Sequence, residues 1–363
     1  MSKILIYSDN HFCSYSSILR GRGKKYSLRL ENQLATMSWL KDIAEQYSCN
    51  SMWCLGDFFD KSTLNAEELA ALSEIKFPNC TQHFLVGNHE MGLRDNSFSS
   101  AHTFLLNNDC EVYDKPAILS IDNTLIYVLP YQLNTSSEPN AVEYFPNIDS
   151  SRFNHKLLLS HNDLKGAKFG NFVSKTGLDI NKLSENFNLT VNGHLHNHGL
   201  IEHNVINIGN ITGQNFGEDG FKYKHYAMIY DCCLGTYELI KNPVALNFFQ
   251  LNLIGKDIDY INKISSKLSN GVCIIKCDEK DFKYINYRFN PACDDEKMRN
   301  IHCPKNCNIV QCRVIVENRI EDTETLSTNN QNLNYNEILK TYLLNKYPST
   351  ICMEEEINEV LKR

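Results

Sequence analysis

Apolar residues fall along this chain in two rhythms. Short apolar runs occur at residues 3–7, 51–55, 83–86, 156–159, 189–191, 205–208 and 226–230. Runs of that length, rich in branched and aromatic side chains, predict buried strands. After the first run, Leu30, Leu34, Met37, Leu40, Ile43, Ala44 and Tyr47 recur at three- and four-residue spacing, which predicts an amphipathic helix. Residues 117–121 and 124–129 flank Asp122-Asn123 and predict a hairpin. Strands alternating with helices predict an α/β layered core over residues 1–242.

Past that point the pattern changes. Residues 272–277 and 312–316 predict strands, separated by polar segments rich in charge and cysteine. They indicate a smaller α+β domain over residues 243–321. Residues 322–334 carry almost no apolar side chains and predict a linker. Two short helical patterns close the chain, at 338–347 and 354–361. The stripe Ile338, Leu339, Tyr342 and Leu343 can pack on the same chain or dock on a partner, so 322–363 is expected to be a linker with docking helices.

Composition narrows the picture. A chain of 363 residues is too long for one compact core. No apolar run is long enough to cross a bilayer, and residues 1–7 show no signal-peptide pattern, so a cytoplasmic protein is expected. The 14 cysteines then read as reduced thiols, many of them small core residues, as in Met52-Trp53-Cys54-Leu55. His302, Cys303, Cys307 and Cys312, with Cys273, Cys277 and Cys293 nearby, suggest zinc. Their spacing lacks a second clean pair, and reduced strand cysteines explain most of it. The formal net charge of -7 argues against a wholly basic surface. Contact with nucleic acid must come from local patches or a partner subunit.

Candidate chemistry lies at the ends of the predicted strands. Asp9-Asn10-His11, Gly56-Asp57-Phe58-Phe59-Asp60, Gly87-Asn88-His89-Glu90, Ser160-His161-Asn162-Asp163 and Gly193-His194-Leu195-His196 each follow an apolar run. Side chains at successive strand ends converge on one edge of a sheet, where α/β proteins place their sites. Carboxylate and amide oxygens mixed with imidazoles suit manganese, iron or zinc better than calcium. Asp9, His11, Asp57, Asn88, His161, His194 and His196 are seven ligands, too many for one ion and suited to two that share Asp57. Gly56, Gly87 and Gly193 let the chain turn sharply off a strand before a ligand. Any one of these motifs alone is commonly structural; all five in this order are not explained by chance.

The ordered set resembles the calcineurin-like metallophosphoesterase superfamily. That resemblance implies a layered β-sandwich flanked by helices. It implies that Asp9, His11 and His196 hold one metal, that Asn88, His161 and His194 hold the other, and that Asp57 bridges both. It makes His89 the non-ligand histidine that faces the scissile phosphate, against a plain alternative in which His89 merely orients a carboxylate.

Several substrates compete within that superfamily. Protein Ser/Thr phosphatases place an Arg after the second motif; here Lys61-Ser62 follows Asp60, so that phosphate clamp is missing. The segment from Asn207-Ile208-Gly209 to Glu218-Asp219-Gly220 resembles the one that closes the core of SbcD-type DNA-repair nucleases, with residues 221–230 as the expected following strand. The small domain and helical tail match that family's layout. Arg20, Arg22, Lys24 and Lys25, with Arg29, form a basic loop after the first motif that can track a DNA backbone or simply be solvated. The resemblance implies a nuclease subunit, of phage recombination type given its modest length. It implies manganese dependence, a coiled-coil SbcC-type ATPase partner and a homodimer, with no membrane role. Several members of that family carry His where this chain has Asp60. A small-molecule phosphodiesterase or phosphatase is the alternative; a scaffold without turnover would have no need of the full ligand set.

Overall fold

The strand Lys3–Tyr7 shows how the core is built. Its side chains alternate between two faces, as a pleated strand requires. Ile4 and Ile6 enter one apolar cluster, and Leu5 and Tyr7 another. The chain, here a computed structural model, is described for residues 2–133, 140–169, 172–290 and 309–316. The expected linker and tail helices at 322–363 lie outside the described residues, as do Cys293, His302, Cys303 and Cys307.

Two six-stranded sheets form the sandwich. The first runs Thr236–Lys241, Tyr226–Asp231, Lys3–Tyr7, Ser51–Cys54, Thr81–Leu85, Cys110–Tyr113, with the last four strands parallel. The second runs Gly199–Glu202, Val205–Asn207, Leu189–Asn192, His155–Ser160, Thr124–Leu129, Ala117–Ile121, with its four central strands parallel. Ile4, Ile6, Trp53 and Leu85 of the first sheet meet Ile126, Val128, Leu157, Leu159 and Val191 of the second. Burying each such side chain contributes about 1.5–3 kcal/mol. The opposite face of the first sheet is covered by the helix Leu28–Gln46 through Leu30, Met37 and Leu40. Ser27 caps that helix by accepting from the Leu30 N–H. The short helix Ile180–Asn186 covers the second sheet through Leu183. This is the α/β layering expected from the apolar pattern, with the β-sandwich that the resemblance implies.

A third sheet follows, with Asn247–Asn252, Gly271–Cys277 and Ile309–Val316 all parallel. The helices Ile258–Ser265 and Phe282–Phe289 pack on it around Phe249, Ile275, Ile261 and Ile285. It abuts the first motif's loop. Phe248 and Val272 bury Leu19, and the Gln311 side chain bonds the backbone of Ile18 and Arg20. Cys54, Cys273 and Cys277 are buried strand residues. The expected strand at 221–230 begins only at Tyr226. Before it the Asp219 carboxylate and carbonyl accept from Phe221, Lys222 and Tyr223 and close a turn. No helix among the described residues is long and apolar enough to cross a membrane.

One core group gives a test of packing. The His83 ring stacks on Trp53, with centroids 3.8 Å apart. Burial lowers its pKa to about 4, although Glu111 partly opposes the shift. The unfolded chain takes up this proton near pH 6.5, and the fold does not. The stability it contributes is therefore complete above pH 6.5 and lost as pH falls toward 4, up to about 3 kcal/mol. In urea melts at pH 7 and pH 4.5, wild type should lose more stability than His83→Phe; equal losses would contradict a neutral buried ring.

Candidate metal centre

The carboxyl ends of five parallel strands, from both sheets, deliver the five motifs to one edge. Lys3–Tyr7 leads to Asp9 and His11, Ser51–Cys54 to Asp57, and Thr81–Leu85 to Asn88 and His89. His155–Ser160 leads to His161, and Leu189–Asn192 leads to His194 and His196. The turns there are sharp. Asp9, His11, Asp57 and His194 have φ of 53°, 48°, 48° and 74°, in the left-handed region. Each such residue costs about 1–3 kcal/mol and persists only where its surroundings fix it. Here Asp9 N–H donates to the Gly56 carbonyl at 3.1 Å and His11 N–H to the Asp57 carbonyl at 2.9 Å. His194 N–H donates to Asp9 Oδ2 at 3.0 Å. Gly87 has no room for a side chain, because a Cβ would lie 2.2 Å from Asp57 Oδ1. At Gly193 a Cβ would meet Ser8 Oγ at 2.1 Å.

The donor atoms fall into groups that share Asp57 and His11. Asp9, His11 and His196 bring one donor each within 4.8 Å of one another, as do Asp57, His161 and His194. His11, Asp57 and His89 form a third such group between them. The Asn88 amide oxygen lies 2.8 Å from His194 Nδ1 and 3.3 Å from His161 Nε2. The structure thus gathers all seven expected ligands.

The protonation pattern around them explains their aim. His161 Nδ1 donates to the Leu55 carbonyl at 2.7 Å, leaving Nε2 3.0 Å from Asp57 Oδ2. His11 Nδ1 faces Asp60 Oδ1 at 3.0 Å, and His196 Nδ1 faces Glu218 Oε1 at 2.8 Å. Their Nε2 atoms then point at each other across 3.1 Å. His194 Nε2 lies 3.2 Å from Asp163 Oδ1, freeing Nδ1. Each imidazole therefore places one N–H on an oxygen and turns its other nitrogen inward, as metal-binding histidines do. Asp9 Oδ1 is fully buried without a hydrogen-bond partner. An orphaned carboxylate oxygen facing inward nitrogens is what a bound cation would satisfy, so the residues fit the expected ions.

Charge supports the same conclusion. Burial disfavours a charged His161, but the Asp57 carboxylate outweighs it and pushes His161 up to about 9. Burial likewise opposes charge on His196, and Glu218 outweighs it. Ions held there need the inward nitrogens of His161 and His196 free of protons. Cations must displace them, so loading weakens as pH falls.

Besides Asp163, three residues outside the expected set are wired to it. Asp60 and Glu218 orient His11 and His196. Glu218 also accepts from Asn210, Asn215 and the Gln214 N–H. Glu90 accepts from the Gly87 and Phe59 N–H groups and ties two ligand loops together; burial raises its carboxyl to about 8. Glu90 and Asp60 stand inside the expected motifs, whereas Glu218 had no such signal. Replacing Glu218 with Gln should weaken metal affinity about 10–100-fold, measured by titration into the apo protein; unchanged affinity would limit Glu218 to packing.

The basic loop is arranged differently. Arg20, Arg22, Lys24 and Lys25 are exposed. Arg22 pairs with Glu67 at 2.7 Å, and Lys25 pairs with Glu74. None of the four lines the cavity of about 310 Å³ that opens beside His11, His89 and His196; Arg29 does.

Several solved structures match this chain at low identity. A novel archaeal phosphodiesterase matches at 15% identity and TM-score 0.36, covering 66% of this chain and 99% of its own. A dimetal phosphatase from Danio rerio matches at 11% and 0.39, covering 66% and 95%. The calcineurin-like phosphoesterase YfkN from Bacillus subtilis matches at 12% and 0.37, covering 66% and 88%. No curated protein matches the sequence. The family model for calcineurin-like phosphoesterases matches residues 2–198, the stretch that carries all seven candidate ligands, and the chain belongs to that family.

Proposed function

We propose that this phosphoesterase is a manganese-dependent DNA nuclease subunit of the SbcD type, acting in recombination and repair with a coiled-coil ATPase. The observation that carries the reading is the connectivity of residues 207–220. Through Glu218 this segment orients His196. Through Gly213 and Gly220, which donate to the Leu246 and Phe248 carbonyls, it also anchors the third sheet. An added sheet tied to the metal centre suits a long polymeric substrate better than a small ester.

The position after Asp60 adds support. Lys61 lies 3.2 Å from the buried carboxylate of Glu68 and is turned to that partner. A cation committed there is not free to clamp the extra negative charge of a phosphomonoester, which favours a diester.

Asp9, His11 and His196 would hold one divalent ion, and Asn88, His161 and His194 the other, with Asp57 between them. When bound, such a pair neutralises phosphate charge and lowers the pKa of a water. His89 is the group left to the substrate. Its side chain is 44% exposed and its Nδ1 lies 3.3 Å from the Asp60 carbonyl, so Nε2 can carry a hydrogen bond or proton to the leaving oxygen. The partner ATPase and a homodimer complete the proposal, with residues 322–363 as the docking segment.

The test is direct. With manganese, and with the ATPase present or absent, the protein should cut linear double-stranded DNA. Hydrolysis of bis-p-nitrophenyl phosphate with DNA left intact under both conditions would replace this reading with a small-molecule phosphodiesterase.

A further inference from the structure

The cavity beside His11, His89 and His196 has one buried cation. Arg29 sits in the first turn of the helix Leu28–Gln46, only 6% exposed, with its side chain lining that cavity. One guanidinium nitrogen donates to the His11 carbonyl at 3.3 Å, a long bond. Its Nε is buried with no partner. Among the described residues no carboxylate forms an ion pair with it. The carboxylates of Asp60 and Glu218 act on it from a distance without forming an ion pair, so this buried guanidinium still gains from a direct anionic partner. Asp60 also lines the cavity, held by His11, and the rest of the wall offers the exposed Ser17 and the exposed ring of Tyr15.

We propose that this cavity receives the nucleotide next to the scissile bond, with Arg29 as the positioning residue for its phosphate and Tyr15 as a stacking face for its base. The inference rests on the nuclease reading and adds to it a subsite on the His11 side of the centre. A guanidinium pairs with phosphate oxygens in a fixed fork, and aromatic rings stack on any base. A small diester has no neighbouring phosphate and gains less from Arg29.

Binding of a labelled single-stranded oligonucleotide in EDTA reads the contact without turnover. Arg29→Gln should weaken binding about 10-fold or more, and the slope of log affinity against log salt should shrink by about 0.7, one phosphate contact. Arg29→Lys should keep most of the slope. Tyr15→Ala, an exposed and safe substitution, should weaken binding without changing the slope. With manganese, Arg29→Gln should raise KM for DNA by a larger factor than it raises KM for bis-p-nitrophenyl phosphate. Equal losses on both substrates would make Arg29 a structural support of His11 and overturn the proposal. An unchanged slope in Arg29→Gln, or unchanged affinity in Tyr15→Ala, would also overturn it. Wild-type protein that neither binds nor cuts DNA would overturn the nuclease reading itself.

Discussion

Asparagine in place of Asp57 is expected to abolish hydrolysis, by at least about 10⁴-fold, the scale seen when a central member of a catalytic assembly is removed. Asp57 is the carboxylate common to two of the three donor groups. Its Oδ2 faces His161 at 3.0 Å and its Oδ1 accepts the His89 N–H at 2.9 Å. The neighbouring imidazoles of His161 and His11 hold its carboxyl below the usual carboxylate range, against the opposing effect of burial. The neutral amide keeps the shape and removes the charge, so cation affinity should fall at both positions together. Metal analysis after dialysis reads this as loss of more than one equivalent. Loss of a single equivalent would make Asp57 a ligand of one ion only.

Alanine at His89 should lower kcat by about 10²–10⁴-fold, the usual contribution of a positioned acid or base. The metal content should stay that of wild type. His89 packs edge-on against His11, with ring centroids 4.6 Å apart, and it is also close enough to His11 and Asp57 to serve as a ligand. The two readouts separate these roles. Activity lost with both ions retained marks a group that acts on the phosphate. Activity and metal lost together would mark a ligand or a structural support.

The apolar pattern made most of the core legible. Strands whose residues are buried on both faces, such as Ser51–Cys54 and His155–Ser160, appear as unbroken apolar runs because each face meets its own cluster. The edge strand Ala117–Ile121 was marked by its hairpin turn, but two other edge strands were not legible. Cys110–Tyr113 and Thr236–Lys241 mix charged and apolar residues, since one side of each has no neighbouring strand and water takes its place. The seven candidate ligand positions were legible because a strand end is a fixed address, and a Gly before Asp57, Asn88 or His194 marks the turn that aims it. Glu218 was hidden because it reaches His196 from a loop 22 residues along the chain, with no strand to place it. The pairing within the basic loop was hidden for a similar reason. Sequence shows Arg22 and Lys25 as a cluster but not the carboxylates of Glu67 and Glu74 that neutralise them from another helix region.

The measurement closest to the central claim is anomalous diffraction from a crystal grown with manganese. Two peaks should appear about 3.5–4 Å apart, one among Asp9, His11 and His196, the other among Asn88, His161 and His194, with Asp57 reaching both. A map with no peak at Asp57, or with a single ion bound elsewhere, would contradict the account.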